Sequence, residues 1–215
     1  MVEEALQQKK VGAPVDLIPL NAPTLCRMNP IFIHANAPHP NAARLLAEAG
    51  FPEGRGFPKI EFLYNTSESH KLIAEAIQEM WRRDLGVEVR LANQEFSSTL
   101  EARRTGAYEI LRSSWSADYA DPASFLDIFR SDSGNNFTAW SSPAYDTTLT
   151  AASRAATAAE RNALFRQAES LLLDAAPIIP IYHYTHVFVI RPEVKGWFPT
   201  LLDHHPYKAV WLEGK

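Results

Sequence analysis

Hydrophobic and polar residues follow two different periods between residues 59 and 91. Residues 59–64 and 87–91 have the apolar and β-branched content of strands, and residues 67–85 repeat apolar side chains at helical spacing. That helical stripe consists of Leu72, Ile73, Ala76, Ile77, Met80, Trp81 and Leu85. Two strands joined by such a helix are expected to be parallel, with a right-handed crossover. A second helix at 97–105 and a strand from residue 108 extend the unit to βαβαβ, an α/β fold.

The second half of the chain predicts helices with a shorter β segment behind them. Helices are expected at 122–130, 143–154 and 157–176, the last capped by Thr157 with Glu160 three residues later. Prolines end this helix, and residues 178–190 are β-branched and aromatic, which predicts one or two strands.

The first 40 residues are rich in proline and have no sustained period, so we expect irregular chain there. A short helix follows at 41–50, with Asn41 or His39-Pro40 at its start and Gly50 at its end. The predicted organisation is an irregular segment (1–40), an α/β lobe (41–176) and C-terminal strands with a tail (177–215).

Composition narrows the function classes. The chain has 215 residues, 46% of them hydrophobic and 21% charged, and a net charge of −4, which is typical of globular proteins. Its basic residues form no stripe, which argues against a nucleic-acid partner. A single cysteine, Cys26, excludes an internal disulfide and a multi-thiolate metal site. The N-terminus does not have the pattern of a secretory signal as it stands, so a cytoplasmic location is expected for this sequence as read.

The most informative local motif lies at residues 112–126. It places Asp118 between Trp115 and Tyr119 directly after a predicted strand, and Asp121-Pro122 then forces an extended turn. A carboxylate between aromatic side chains suits a cationic ligand group such as a free α-amino terminus. An ordinary strand-to-helix corner with a capping aspartate explains the same residues equally well.

Motifs of catalysis and metal binding are missing from the sequence. There is no Gly-x-Ser-x-Gly, phosphate-binding glycine loop or His-Glu-x-x-His, and no cluster of acids or thiolates completes a metal shell around the histidines. We therefore expect no catalytic residue, metal or cofactor. His70 can be a solvent-facing residue of a helix start, and Trp115 can be a core aromatic. Arg112 stands out because it puts a charge on the strand that leads into Trp115.

Several ordered motifs resemble the periplasmic oligopeptide-binding proteins of ABC importers, over roughly residues 40–190 and specifically the C-terminal part of that fold. The motifs, with their positions, are Leu-Tyr-Asn-Thr-Ser-Glu-Ser-His (63–70), Asn-Gln-Glu-Phe (93–96), Trp-Ser-Ala-Asp-Tyr-Ala-Asp-Pro-Ala-Ser-Phe-Leu (115–126), Asn-Asn (135–136), Ser-Pro-Ala-Tyr-Asp (142–146) and Ala-Pro-Ile-Ile-Pro-Ile-Tyr-His-Tyr (176–184). The resemblance implies a periplasmic-binding-protein-like lobe of type II, with βαβ units in a mixed sheet flanked by helices.

The resemblance also implies roles for individual residues. Asp118 corresponds to the acid that meets the peptide α-ammonium group, with Trp115 and Ser116 lining the same cleft. Family members place cations at several positions, which meet the carboxylates of peptides of different lengths. In this chain those positions are occupied by Arg112, Arg103 and His70. The remaining implied ligand residues are Asn65, Phe96 and Tyr184. Phe96 stands where relatives have tryptophan and Ser116 where they have cysteine, so peptide length and side-chain preference stay open.

Family members are much longer than this chain, so the resemblance implies a partial chain without the N-terminal lobe, which alone would bind peptide weakly or not at all. Its expected partners are an oligopeptide and, through the full-length protein, the importer's permease subunits, with the chain itself a monomer. The family location is periplasmic or membrane-anchored outside the cytoplasm. Three alternatives remain: the same fold binding a dipeptide, murein peptide, sugar or nickel complex; a fragment without function; and a hydrolase using His70 and Asp118.

Overall fold

A computed structural model of the chain describes residues 30–32, 42–184, 189–198, 200, 202 and 204–214. The described α-helices are α1 (Ala42–Glu48), α2 (Glu68–Leu85), α3 (Phe96–Thr105), α4 (Ala123–Leu126), α5 (Pro143–Arg154) and α6 (Ala158–Ala175), and short 3-10 helices lie at Pro52–Gly54, Asp127–Phe129 and Tyr207–Ala209. The described strands are β1 (Pro30–Phe32), β2 (Ile60–Asn65), β3 (Val89–Gln94), β4 (Ile110–Leu111), β5 (Ser113–Ser114), β6 (Pro180–His183), β7 (Val194–Lys195) and β8 (Trp211–Leu212). No described helix is long and apolar enough to cross a membrane.

The predicted βαβαβ unit forms a parallel sheet of order β3-β2-β4. Its central strand β2 buries Phe62, Leu63 and Tyr64 in succession, because both faces of the sheet are covered. Helix α2 packs Ala74 and Ile77 into this core. It ends at Gly86, whose φ of 68° is a left-handed conformation that favours glycine. A Cβ atom at this position would also collide with Glu53 O. Strand β3 starts two residues later than predicted, because it pairs along the whole of β2.

A second core lies between α5, α6 and the turn that contains α4. Tyr145 is fully buried there and donates to Leu126 O over 2.7 Å, and Phe165 and Leu172 of α6 pack against it. The predicted cap of α6 is confirmed: Thr157 Oγ1 accepts from the Glu160 backbone N–H, and Glu160 accepts from Ala156 N.

The strand predicted at residues 108–114 is wrong as a single element. It divides into β4, which pairs with β2 in the parallel sheet, and β5, which pairs with β1 in an antiparallel sheet of order β5-β1-β6. The backbone N–H of Arg112, between the two, still donates to Leu63 O over 2.8 Å. The chain therefore passes from one sheet to the other at Arg112.

The prediction of irregular structure over residues 1–40 is wrong at Pro30–Phe32, which form β1, the middle strand of the antiparallel sheet. Its two partner strands are more than 80 residues away in sequence, and Pro30 begins the strand, where a missing N–H is tolerated. The other residues of 1–40, including Cys26, lie outside the described residues, and so does Asn41. So do residues 185–188 of the predicted strand region, and the division into a lobe and a C-terminal part stays a prediction.

Candidate functional site

The passage between the sheets places a charged side chain inside the protein. Arg112 is only 7% exposed, and its surroundings are the carboxyl end of β2, the first turn of α2 and the residue after β6. Ligand sites of α/β proteins are commonly built at the carboxyl ends of parallel strands, where the strand-to-helix connections converge. At this point the fold brings together four polar residues, which we call the polar cluster: Asn65, His70, Arg112 and Tyr184.

The polar cluster is joined by side-chain hydrogen bonds. Arg112 donates from one terminal nitrogen to Tyr184 Oη over 2.6 Å and from the other to Asn65 Oδ1 over 3.5 Å. His70 Nε2 lies 2.9 Å from the same Tyr184 hydroxyl oxygen. The Nε atom of Arg112 is buried and has no hydrogen-bond partner among the described residues. The guanidinium group thus has unused donor capacity at the site.

The charge of Arg112 is met only by neutral groups within the described part of the chain. Burial is the main cause that lowers the pKa of Arg112, while its interactions with Tyr184 and Tyr182 oppose that shift. Burial and the charge of Arg112 also lower the pKa of His70. A buried arginine is normally paired with a carboxylate, because an isolated charge is costly to remove from water. The polar cluster is therefore suited to receive an anion.

The loop at residues 115–121, here called the acidic loop, follows β5 directly. The Trp115 side chain is half-buried against the core of α5 and α6. Ser116 and Asp118 are exposed, and neither side chain has a hydrogen bond to a described residue; the Asp118 backbone N–H donates to Ser124 Oγ over 2.8 Å. The capping aspartate expected at this corner is present. Asp121 is the capping residue, since its Oδ1 accepts from Ala123 N over 2.9 Å.

Two further predicted residues line a cavity of about 280 Å³ beside the acidic loop. The guanidinium group of Arg103 lies 4.6 Å from the centre of the Phe137 ring. Arg103 Nε and Trp115 Nε1 are both buried without a hydrogen-bond partner among the described residues. Tyr108, which also lines the cavity, donates its hydroxyl to Phe137 O over 2.5 Å. The cavity thus combines apolar walls with two unused donors.

The structure therefore divides the nine predicted ligand residues. Four form the polar cluster, Arg103 and Trp115 line the cavity, and Asp118 and Ser116 lie exposed on the acidic loop. Phe96 begins α3 and is 57% exposed, outside both the cluster and the cavity lining. The cavity lining also includes Tyr108 and Phe137, which the sequence analysis did not single out, although Phe137 directly follows the Asn135-Asn136 motif. Among the described residues there is no group of three side chains suited to hold a metal.

Comparison with known proteins identifies the family. Residues 25–137 match the family described as "Bacterial extracellular solute-binding proteins, family 5 Middle". The chain belongs to family 5 of the bacterial extracellular solute-binding proteins. This family 5 match begins at residue 25, so the expectation that the resemblance starts near residue 40 is wrong at that end. The family consists of solute-binding proteins rather than enzymes.

The family 5 relatives are longer than this chain. The periplasmic murein peptide-binding protein MppA of Escherichia coli (strain K12) is 42% identical over 156 residues, which are 73% of this chain and 29% of MppA. The solved structure of the E. coli murein tripeptide binding protein MppA superposes with a TM-score of 0.74 at 38% identity, over 80% of this chain and 34% of that one. Haemophilus influenzae OppA in complex with RPPGFSPFR gives a TM-score of 0.73 at 32% identity, over 80% and 34%. The fold is periplasmic-binding-protein-like, as predicted, and the chain spans about a third of these relatives.

Proposed function

We propose that this chain contributes a ligand-binding lobe to a receptor that delivers peptides to an ABC-type importer. The observation that carries the proposal is Arg112, a buried cation whose described partners, Asn65 and Tyr184, are both neutral. A peptide carboxylate would supply the missing negative charge through charge-assisted hydrogen bonds.

Such a receptor can bind peptides of many sequences through their two charged termini, because every free peptide has both. Asp118 has no described side-chain partner and lies exposed after β5, so it is free to meet an α-ammonium group. His70 and Arg103 offer further positions for the carboxylate of ligands of other lengths. The cavity beside Trp115 would hold a ligand side chain, with its two unpaired donors serving polar groups directly or through water.

Support for a peptide ligand also comes from relatives whose names state murein peptide, murein tripeptide or oligopeptide binding and from the OppA complex with a nonapeptide. The permease subunits of the importer are the partners that this role requires, and we propose that the receptor meets them outside the cytoplasm. Closure of two lobes on the peptide would complete the site.

The test is a calorimetric titration with tri- and tetra-alanine, each with a free and an N-acetylated amino terminus. The titrated proteins are this chain and a chimera in which the aligned residues replace the corresponding 156 residues of E. coli MppA. Loss of one charge-assisted hydrogen bond should weaken the chimera's affinity by about 10- to 100-fold on acetylation. Asp118→Asn should remove that difference, whereas Asp132→Asn, at an exposed aspartate outside the site, should keep it. Equal affinities for free and acetylated peptides in the chimera would contradict the role of Asp118.

A further inference from the structure

We infer that Asp121, Ser124 and Arg161 form a loop anchor that fixes the position of Asp118 and thereby sets how strongly the receptor distinguishes a free amino terminus from a blocked one. The inference rests on the proposed function, because it concerns the acid assigned to the peptide amino terminus. None of the three residues is placed in contact with the ligand. They are positioning residues that act through Asp118.

The first contact of the loop anchor is made by Ser124. This side chain lies in α4 and is 3% exposed, and its Oγ accepts the backbone N–H of Asp118 over 2.8 Å. Asp118 itself is exposed, and its side chain has no described hydrogen-bond partner. The described hydrogen bond that holds residue 118 is therefore its backbone bond to a buried hydroxyl group of the neighbouring helix.

The second contact ties the end of the acidic loop to α6. Arg161 donates from both terminal nitrogens to the two carboxylate oxygens of Asp121, over 2.7 and 2.9 Å. The same carboxylate caps α4 through Ala123 N. Arg161 is held in place in turn, because its guanidinium group lies 4.5 Å from the centre of the buried Phe165 ring. Asp121 thereby connects the loop, α4 and α6.

The charge state of this carboxylate supports the connection. Burial acts to raise the pKa of Asp121, but the hydrogen bonds from Arg161 and Ala123 N and the charge of Arg161 lower it overall. The carboxylate is therefore ionised at neutral pH, where a peptide amino terminus is also charged. A bidentate pair of this kind fixes direction as well as distance.

Fixing the loop matters because Asp118 then has its binding position before the ligand arrives. A carboxylate on a loose loop loses conformational freedom when it binds, and that loss weakens affinity. A carboxylate whose backbone is already held at residue 118 and at residue 121 loses much less. The loop anchor should consequently raise affinity for free amino termini and leave affinity for N-acetylated peptides unchanged.

The first test measures the anchor without any ligand. In this chain, amide hydrogen exchange by NMR should show a protected Asp118 N–H that exchanges about 5- to 10-fold faster in Ser124→Ala, the change expected for the loss of one hydrogen bond. Ser170→Ala removes an exposed hydroxyl group from the middle of α6 and should leave the Asp118 rate unchanged. A rate at Asp118 that is identical in Ser124→Ala and the parent chain overturns the inference.

The second test measures discrimination, which a merely structural role would not alter selectively. In the MppA chimera, the ratio of affinities for free and N-acetylated tri-alanine should fall about 3- to 10-fold in Ser124→Ala and Arg161→Met, with the affinity for the acetylated peptide unchanged. Arg161→Lys keeps the charge and should recover part of the ratio. Arg166→Met, at an exposed arginine of the same helix, is the matched control.

The two tests separate this inference from the function on which it rests. If the parent chimera binds no peptide, or binds free and acetylated peptides equally, the proposed function is wrong and the inference falls with it. If the parent discriminates and both anchor variants discriminate equally well, the loop anchor is wrong and the role of Asp118 stands. If the substitutions lower the affinities for the free and the acetylated peptide to the same extent, the three residues act on stability alone and the inference is again overturned.

Discussion

Arg112 and Arg161 are held in opposite ways, although both lie next to the candidate ligand site. Arg161 is partly exposed and makes a bidentate ion pair with Asp121. Arg112 is more deeply buried, yet its described partners are an amide oxygen and a phenol oxygen. Desolvating a charge without a counter-charge costs stability, whereas a pair with good geometry recovers most of that cost. From this difference we propose that Arg161 holds the acidic loop in place and that Arg112 is available to a ligand.

The largest expected effect comes from removing the unpaired cation. Arg112→Met keeps much of the side-chain volume and deletes the buried charge, so the melting temperature should stay unchanged or rise. Peptide affinity of the MppA chimera should fall by about 1.5–3 kcal/mol, the usual range for a hydrogen bond to a charged group. Calorimetry and thermal denaturation of the same samples measure both quantities. A lower melting temperature with unchanged peptide affinity would show that Arg112 stabilises the fold and does not meet the peptide carboxylate.

A smaller effect is expected from breaking the internal pair. Arg161→Met should lower the free energy of unfolding of this chain by about 1 kcal/mol, because both partners of the ion pair are partly exposed and solvent weakens their attraction. Urea denaturation followed by circular dichroism gives this value. Arg166→Met on the same helix should change it by less than about 0.5 kcal/mol. Equal losses in the two variants would mean that the ion pair contributes nothing specific.

The smallest effect is a difference between the pH ranges of the two regions. Burial and Arg112 lower the pKa of His70 from its ordinary 6.5, so the unfolded chain takes up a proton there before the folded chain does. The His70 contribution to stability should therefore be complete above about pH 7 and decline as pH falls below 6.5. Unfolding curves at pH 7.5, 6.5 and 5.5 measure it. His70→Gln should flatten this dependence, whereas His204→Gln at an exposed position should not.

The Asp121 pair should respond in a lower pH range. Because the pKa of Asp121 is lowered in the folded chain, its contribution is present above the ordinary value of 3.8 and is lost as pH falls through the lower folded value. Arg161→Met should therefore remove a pH dependence that lies below about pH 4 and leave the one near neutrality intact. A loss of the dependence near neutrality in this variant would contradict the separation of the two regions.

Features determined by neighbouring residues were predictable from the sequence. The end of α2 at Gly86 and the cap of α6 by Thr157 are formed within a few residues, and both occur as predicted. The parallel βαβ unit followed from hydrophobic periodicity, because α2 and the flanking strands bury one continuous core. The family motifs also pointed to Asn65, His70, Arg112 and Tyr184, which the fold brings together.

Features that depend on distant partners were not predictable in this way. Strand β1 is three residues long and takes its hydrogen bonds from β5 and β6, far along the chain. The division of the strand at Arg112 arises because its two halves have different partner strands. Arg161 reaches Asp121 across 40 residues, and nothing in the amphipathic pattern of α6 distinguishes it from Arg166. The sequence predicted a capping aspartate at this corner but did not show that Asp121 would also pair with Arg161.

The most direct test of the account is a double-mutant cycle between Arg112 and the peptide carboxylate. The affinities of the MppA chimera and its Arg112→Met variant are measured for tri-, tetra- and penta-alanine, each as the free acid and as the C-terminal amide. The comparison uses the peptide length whose affinity for the parent chimera falls most on amidation. For that length, amidation should lower the affinity of the parent about tenfold or more and that of the Arg112→Met variant by less than about twofold. Equal weakening of the parent and the variant by amidation would contradict the claim that Arg112 is held unpaired for a peptide carboxylate.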